Sequence, residues 1–229
     1  MYVGLVGPTS LRVLTWNLLH GRSVPGAGRE LFEEFASLIG GWEWDLALLQ
    51  EVPPWWPPAL ACGPGADQRL VLTSRNALLT LRRAVAVRWP DLIKSNGGGA
   101  NAILVRGERI VEHRTLRLSL WPERRWMQAV RLESGLWAGN LHTAADPDQG
   151  RRAAQKLHAW ANRAPAILGG DFNVRQPSLP GFERAGGSGP DHVFVGGGLA
   201  PGGETIVLER GRLSDHAPLL VSVIKKRSP

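Results

Sequence analysis

The sequence predicts an α/β sandwich built on mixed or antiparallel sheets, and three observations predict it. Short apolar runs bounded by turn residues recur along all 229 residues, most of them four to seven residues long, which is the length of strands. Only two segments carry a helical period. The glycine- and proline-rich stretches "PPWWPPALACGPG", "SNGGGA", "GGSGP" and "GGGLAPGG" are too short to link separate units. With no internal repeat, residues 1–229 read as a single domain.

Taken in order, strands are expected at Arg12–Trp16, Asp45–Gln50, Arg69–Thr73, Asn101–Val105, Met127–Leu132, Leu136–Leu141, Pro165–Leu168, His192–Val195 and Leu219–Ile224. The first helix falls in "RELFEEFASLIGG", where Leu31, Phe35, Leu38 and Ile39 share a face and Gly40 or Gly41 can cap the end. The second falls in "DPDQGRRAAQKLHAWANR". There Asp146 is a good N-cap, Pro147 suits the first helical position, and Ala153, Leu157, Trp160 and Ala161 make the buried stripe.

Composition narrows the function classes. Apolar residues make up 43% of the chain, ordinary for a globular protein, and no apolar run approaches the ~18 residues that span a bilayer. The opening residues lack the basic stretch and the apolar length of a secretory signal. Cys62 is the only cysteine, so no internal disulfide and no cysteine metal cage can form. The expectation is a soluble, cytoplasmic monomer. Lys and Arg total 27 against 20 Asp and Glu, a net charge of +7, and nearly all the cations are arginines. Such a surface suits polyanions, because guanidinium forks match phosphate oxygens.

The ends of the apolar runs carry the chemistry. "VLTWN" ends in Asn17, "LALLQE" in Glu51, "WAGNLH" in Asn140 and His142, and "AILGGDFN" in Asp171 and Asn173. Asp191 opens "DHVFV", and Asp215 and His216 open the last strand. Residues two apart in extended chain face the same way, so Asn140 with His142, and Asp171 with Asn173, are each expected in one cleft. If Glu51, Asp171 and Asp215 converge, a pair of carboxylates ~4 Å apart repels by about 4 kcal/mol at an effective dielectric of ~20. Either protons are shared or a cation sits among them, and oxygen donors favour Mg²⁺, Mn²⁺ or Ca²⁺ over zinc. A histidine with a carboxylate partner is held in one tautomer. For His216 the better partner is Asp191, arriving from another strand, since adjacent Asp215 points away. His20 joins the candidates because it follows Asn17 closely.

In this order, "TWN", "LLQE", "GGGANAILVRG", "GNLH", "GGDFN", "DHVFV" and "SDH" resemble the endonuclease/exonuclease/phosphatase superfamily, from Leu14 to His216. The resemblance implies a four-layer α/β/β/α sandwich, two packed mixed β-sheets with helices on the outer faces, and a divalent-metal site of one or two ions at one end. It implies Glu51 as the principal metal ligand with Asn17 beside it, and Asp171 as the group that aligns and activates the attacking water. Asn173 orients that water or the phosphate, and His142 contacts a phosphate oxygen with Asn140 beside it. Asp191 polarises His216, which stabilises the charge growing on phosphorus, while Asp215 completes the acidic wall. The expected reaction is hydrolysis of a phosphate ester by in-line water attack with Mg²⁺, or Mn²⁺ in its stead. The abasic-site branch carries a tyrosine where this chain has His142, and the only tyrosine here is Tyr2. The "NLH" form instead resembles the branch with pancreatic-type deoxyribonucleases, deadenylases, neutral sphingomyelinases and tyrosyl-DNA phosphodiesterases.

Substrate contacts are expected at the rim from His20, Trp55, Trp56, Asn101 and Arg125. Trp55 and Trp56 can stack a base or sugar, or pack on the prolines around them to hold their loop. Charge and tryptophan content favour a nuclease on DNA or RNA. The alternatives are a phosphodiesterase or phosphatase for lipid, inositol, sugar or small nucleotide substrates, and a catalytically dead binding scaffold. A serine hydrolase is poorly supported, since there is no G-x-S-x-G elbow and "GGSGP" has proline where the last glycine belongs. A two-carboxylate glycosidase would leave Asn17, Asn173 and His216 without roles.

Overall fold

A computed structural model describes residues 10–73, 76–89 and 99–226. Tyr2 and most of the "SNGGGA" stretch, including Gly97 and Gly98, lie outside the described residues. The first half of the chain runs β1 (Leu11–Asn17), α1 (Phe32–Gly41), β2 (Leu46–Val52), α2 (Pro57–Cys62), β3 (Asp67–Leu72), α3 (Leu79–Arg88) and β4 (Ala100–Val105). The middle adds β5 (Ile110–Ser119), β6 (Arg125–Leu132), β7 (Trp137–His142), α4 (Pro147–Ala161) and β8 (Ala166–Asp171). The chain closes with β9 (Glu183–Ser188), β10 (Asp191–Gly196), β11 (Leu199–Pro201), β12 (Ile206–Val207) and β13 (Leu219–Lys225).

These strands form two sheets, ordered β11-β13-β1-β2-β4-β3, with β12 beside β13, and β5-β6-β7-β8-β10-β9. Each sheet contains one parallel pair, β1 with β2 and β7 with β8; the neighbouring pairs are antiparallel. Helices α1 and α4 are the crossovers that parallel pairing requires. Between the sheets lies a core of Val13, Leu46, Leu48, Ile103, Val130, Ile167, Val193 and Val221, among others. A second core, with Leu14, Trp16, Phe35, Ile39, Leu49 and Trp56, joins the first sheet to α1 and α2. A third, with Met127, Trp137, Leu141, Ala153, Leu157 and Leu168, joins the second sheet to α4. Alternate residues of β1, β2, β7 and β8 enter different cores, and that makes four layers of α, β, β and α.

Both helices expected from periodicity are present. In α4 the Asp146 carboxylate accepts the Asp148 N–H at 3.0 Å, Pro147 occupies the first turn, and Asn162 closes the helix in a left-handed conformation. The expected stripe of Ala153, Leu157, Trp160 and Ala161 faces the core together with Ala154; Trp160 sits half-buried at its edge and stacks on Trp137. The expected glycine cap of α1 is corrected. Gly40 and Gly41 lie inside the last turn, and extended Trp42 ends the helix. Its final carbonyls are taken by the Trp44 indole N–H, at 2.7 Å from the Ile39 oxygen, and by the Arg106 guanidinium, so no left-handed residue is needed.

Candidate active site

The inward-facing positions of the central strands change character along the sandwich. At one end they are aliphatic. In the middle they become amides and hydroxyls: Thr15 on β1, Gln50 on β2, Asn101 on β4, Gln128 on β6 and Asn140 on β7, all buried. Gln50 Nε2 donates to Asn140 Oδ1 at 2.8 Å across the interface between sheets, and Asn140 Nδ2 donates to the carbonyls of Leu49 and Ala102 at 2.8 Å. At the far end stand Asn17, His142 and Asp171, at the carboxyl ends of β1, β7 and β8. Asp171 lies opposite His142 in the parallel ladder and opposite Asp191 in the antiparallel one. Strand parity therefore delivers these groups to one mouth.

Two backbone devices complete the delivery. Simple alternation would turn Glu51 away from the inward-facing Gln50. The β2–β4 register slips between Leu49 and Val52, and Glu51 adopts φ 50°, so its carboxylate meets the imidazoles of His20 and His142 instead. Gly170 has φ 135°, and a Cβ there would stand 2.0 Å from the Leu141 carbonyl oxygen. Only glycine permits β8 to approach β7 this closely just before Asp171.

The resulting contacts are continuous. Asp191 Oδ2 lies 2.7 Å from His216 Nδ1, and His216 Nε2 lies 3.9 Å from Asp171 Oδ2. That oxygen accepts the Asn17 amide at 3.1 Å and lies 3.4 Å from His142 Nε2. His142 Nδ1 is 3.7 Å from Glu51 Oε1, and His20 Nε2 is 3.1 Å from Glu51 Oε2. Burial, together with the Asp191 charge, raises the Asp171 carboxyl to about 6. Burial also opposes protonation of His216, but its hydrogen bond to Asp191 and the charges of Asp191, Asp171 and Asp215 outweigh it and raise the imidazole to about 9. Burial and the positive field of Arg125, His20 and His216 hold His142 well below its ordinary value, so it is neutral.

Several expectations are corrected. Asn140 is spent entirely on bonds beneath the mouth and does not face the cleft with His142. Asn101 is fully buried, its amide donating to the Trp126 carbonyl, and lines no rim. Trp56 is 3% exposed and packs on Phe32 and Phe35, while half-buried Trp55 leans on the same core; the rings hold the turn into α2. Asn173 is not extended beside Asp171. It has φ 50°, donates its backbone N–H to Asp171 Oδ1 at 2.9 Å, and is exposed. Asn17 accepts the Leu19 N–H at its side-chain oxygen and donates its amide to Asp171, so it steadies Asp171. Asp215 is exposed beside Asp191 and His216, acting on His216 through its charge. His20 and Arg125 do reach the site, lining with Glu51 and His142 a cavity of about 110 Å³.

The sequence reading passed over Ser214, although it stands in "SDH". Its hydroxyl donates to the Asn17 carbonyl at 2.6 Å and accepts the His216 N–H at 3.1 Å, tying the last strand's approach to β1. A divalent cation suits this donor set. The mouth gathers the carboxylates of Asp171 and Asp191, with ligand oxygens within 4.8 Å of each other, and that of Glu51 beside His142 at 3.7 Å; among the described residues Asp191 Oδ1 is buried without a hydrogen-bond partner, and such facing carboxylates are relieved by positive charge.

The sequence profile described as "Endonuclease/Exonuclease/phosphatase family" matches residues 14–216. No curated protein matches the sequence. Among solved structures, an endonuclease/exonuclease/phosphatase from Bacteroides vulgatus superposes with a TM-score of 0.67 at 16% identity, covering 95% of this chain and 100% of its own. TDP2 from Caenorhabditis elegans gives 0.66 at 13% identity, over 94% of this chain and 74% of its own. The mannosyl-6-phosphatase Bt3783 of Bacteroides thetaiotaomicron gives 0.66 at 19%, over 93% and 99%. At these identities the likeness concerns the fold.

Proposed function

Because the chain belongs to the endonuclease/exonuclease/phosphatase family, made up largely of hydrolytic phosphoesterases that use divalent metals, we propose that it is a Mg²⁺-dependent phosphodiesterase acting on DNA or RNA. What supports the reading is the unbroken run of contacts from Asp191 through His216, Asp171 and His142 to Glu51, with no link longer than 3.9 Å. Glu51 and Asp171 would hold the ion, which when bound polarises a phosphoryl oxygen as a Lewis acid. Asp171, braced by the Asn17 amide and the Asn173 N–H, accepts the proton of the attacking water. His216 stays cationic up to about pH 9; Asp191 holds its Nδ1, and its Nε2–H donates to the phosphoryl oxygen as charge grows there. Neutral His142 and the Arg125 cation orient the remaining oxygens.

The test is turnover of plasmid, single-stranded DNA, RNA and a chromogenic phosphodiester with Mg²⁺ or Mn²⁺ and with EDTA. Glu51→Gln, Asp171→Asn and His216→Ala are each expected to lower kcat by roughly 100-fold or more with an unchanged circular dichroism spectrum. Near-normal rates in any of the three would sink the role assigned to it. A second reading, a phosphomonoesterase, draws on the compact cavity of about 110 Å³ around His20, Glu51, Arg125 and His142 and on the structural neighbour whose name is mannosyl-6-phosphatase. Faster phosphate release from sugar monoesters than cleavage of any diester would favour it.

A further inference from the structure

Trp121 has the highest exposure of any large apolar side chain among the described residues, 85%, and its neighbour Leu120 is 61% exposed. Other tryptophans, including Trp16, Trp44, Trp56 and Trp137, are buried. Both exposed residues sit in the turn between β5 and β6, where the Ser119 hydroxyl donates to the Trp121 carbonyl at 3.0 Å and steadies the backbone. Among the described residues the Trp121 ring packs on no other ring.

Its location gives that exposed face a use. Trp121, Pro122, Glu123, Arg125, Ala144 and Asn173 contribute to a pocket of about 680 Å³. Glu123 and Arg125 also line the small cavity containing Glu51 and His142, so the two spaces meet at that ion pair, whose side chains are 2.6 Å apart. A phosphate in the small cavity competes with Glu123 for Arg125. The larger pocket, with Trp121 in its lining, is then the adjoining space open to whatever is esterified to that phosphate. A flat indole offers a π-face and no hydrogen-bond pattern at the ring surface, which suits a planar ring of any identity.

We propose that Trp121 is the stacking platform for a nucleobase flanking the reacting phosphate, so that the substrate is a nucleic-acid strand bound with little preference among bases. The proposal rests on the phosphodiesterase reading above and adds to that site a residue that binds the base beside the reacting phosphate. The experiment compares a short single-stranded oligonucleotide with its counterpart bearing a baseless tetrahydrofuran residue beside the phosphate that is cleaved. Equilibrium binding is read by anisotropy in EDTA, where hydrolysis is prevented, and kcat/KM is measured with Mg²⁺. Wild-type protein is expected to favour the base-bearing strand by about tenfold in both. Trp121→Ala abolishes the preference and Trp121→Phe keeps most of it. Equal binding of both strands by wild type, or an undiminished preference in Trp121→Ala, overturns the platform. So does a change of oligomeric state in Trp121→Ala unaccompanied by loss of the preference, which would make Trp121 a contact between copies. Glu51→Gln with undiminished turnover would instead strike at the phosphoesterase reading, while the binding comparison still decides the role of Trp121.

Discussion

Glu51 and Gly170 show how much of a site can depend on single backbone torsions. A methyl group at Gly170 would combine an unfavourable φ with a 2.0 Å approach to the Leu141 oxygen. Gly170→Ala is therefore expected to cost about 3 kcal/mol, lowering the melting temperature by roughly 6–12 °C. His216 supplies a pH dependence. Its folded pKa, about 9, lies above the ordinary 6.5, so its contribution is complete below about pH 6.5 and is lost as pH rises through 9. Urea midpoints of the EDTA-treated protein should fall between pH 6 and pH 10 more steeply than those of Asp191→Asn; parallel curves would contradict the pairing. The presence of carboxylates and imidazoles at strand ends was legible in the sequence, because polar residues after apolar runs stand out. The aim of Glu51 was not, since a bulge reverses alternation without leaving a residue type that announces it.

At the scale of elements, the belt of amides beneath the mouth is what joins the two sheets where aliphatic packing stops. Asn140→Ala removes the side-chain amide that the Leu49 and Ala102 carbonyls accept, and one of the acceptors of the Gln50 amide, which keeps the Leu48 carbonyl at 2.9 Å. The expected loss is about 1–3 kcal/mol, read as a lower urea midpoint, with turnover largely retained below the transition. A collapse of kcat at full folding would return Asn140 to the reaction. The nine strands expected from apolar runs are all present, whereas β5, β9 and the short β11 and β12 escaped notice, the first two for physical reasons. The outward positions of β5 are charged and its run "IVEHRTLRLS" is mostly exposed, as befits a strand at a sheet edge. In β9, "ERAGGS" has glycines where neighbours approach closely, including Gly186 against Thr205 and Val221. The short α2 was hidden because its prolines stand in the first turn, the one place in a helix that tolerates them.

For the whole molecule, the order of motifs along nearly the full chain made the four-layer sandwich readable, while the substrate depends on loops such as that of Trp121, whose placement follows from packing. A net charge of +7 predicts that oligonucleotide affinity falls steeply with salt, with a linear decline of log K against log concentration; a flat titration would argue against a polyanion. The register that sets Asp171 opposite Asp191 reaches further. Asp171 has a folded pKa of about 6 against an ordinary 3.8, so between those values the folded chain holds the extra proton and stability declines as pH rises. Above that window Asp171 is ionised opposite Asp191, and the His216 cation, 3.9 Å from the one and 2.7 Å from the other, is the charge that offsets them. If the proposed Mg²⁺ site is there, Mg²⁺ should lift the melting temperature more at pH 7.5 than at pH 5, and chelation should soften the fold before any substrate is offered; equal melting temperatures with and without Mg²⁺ would contradict it.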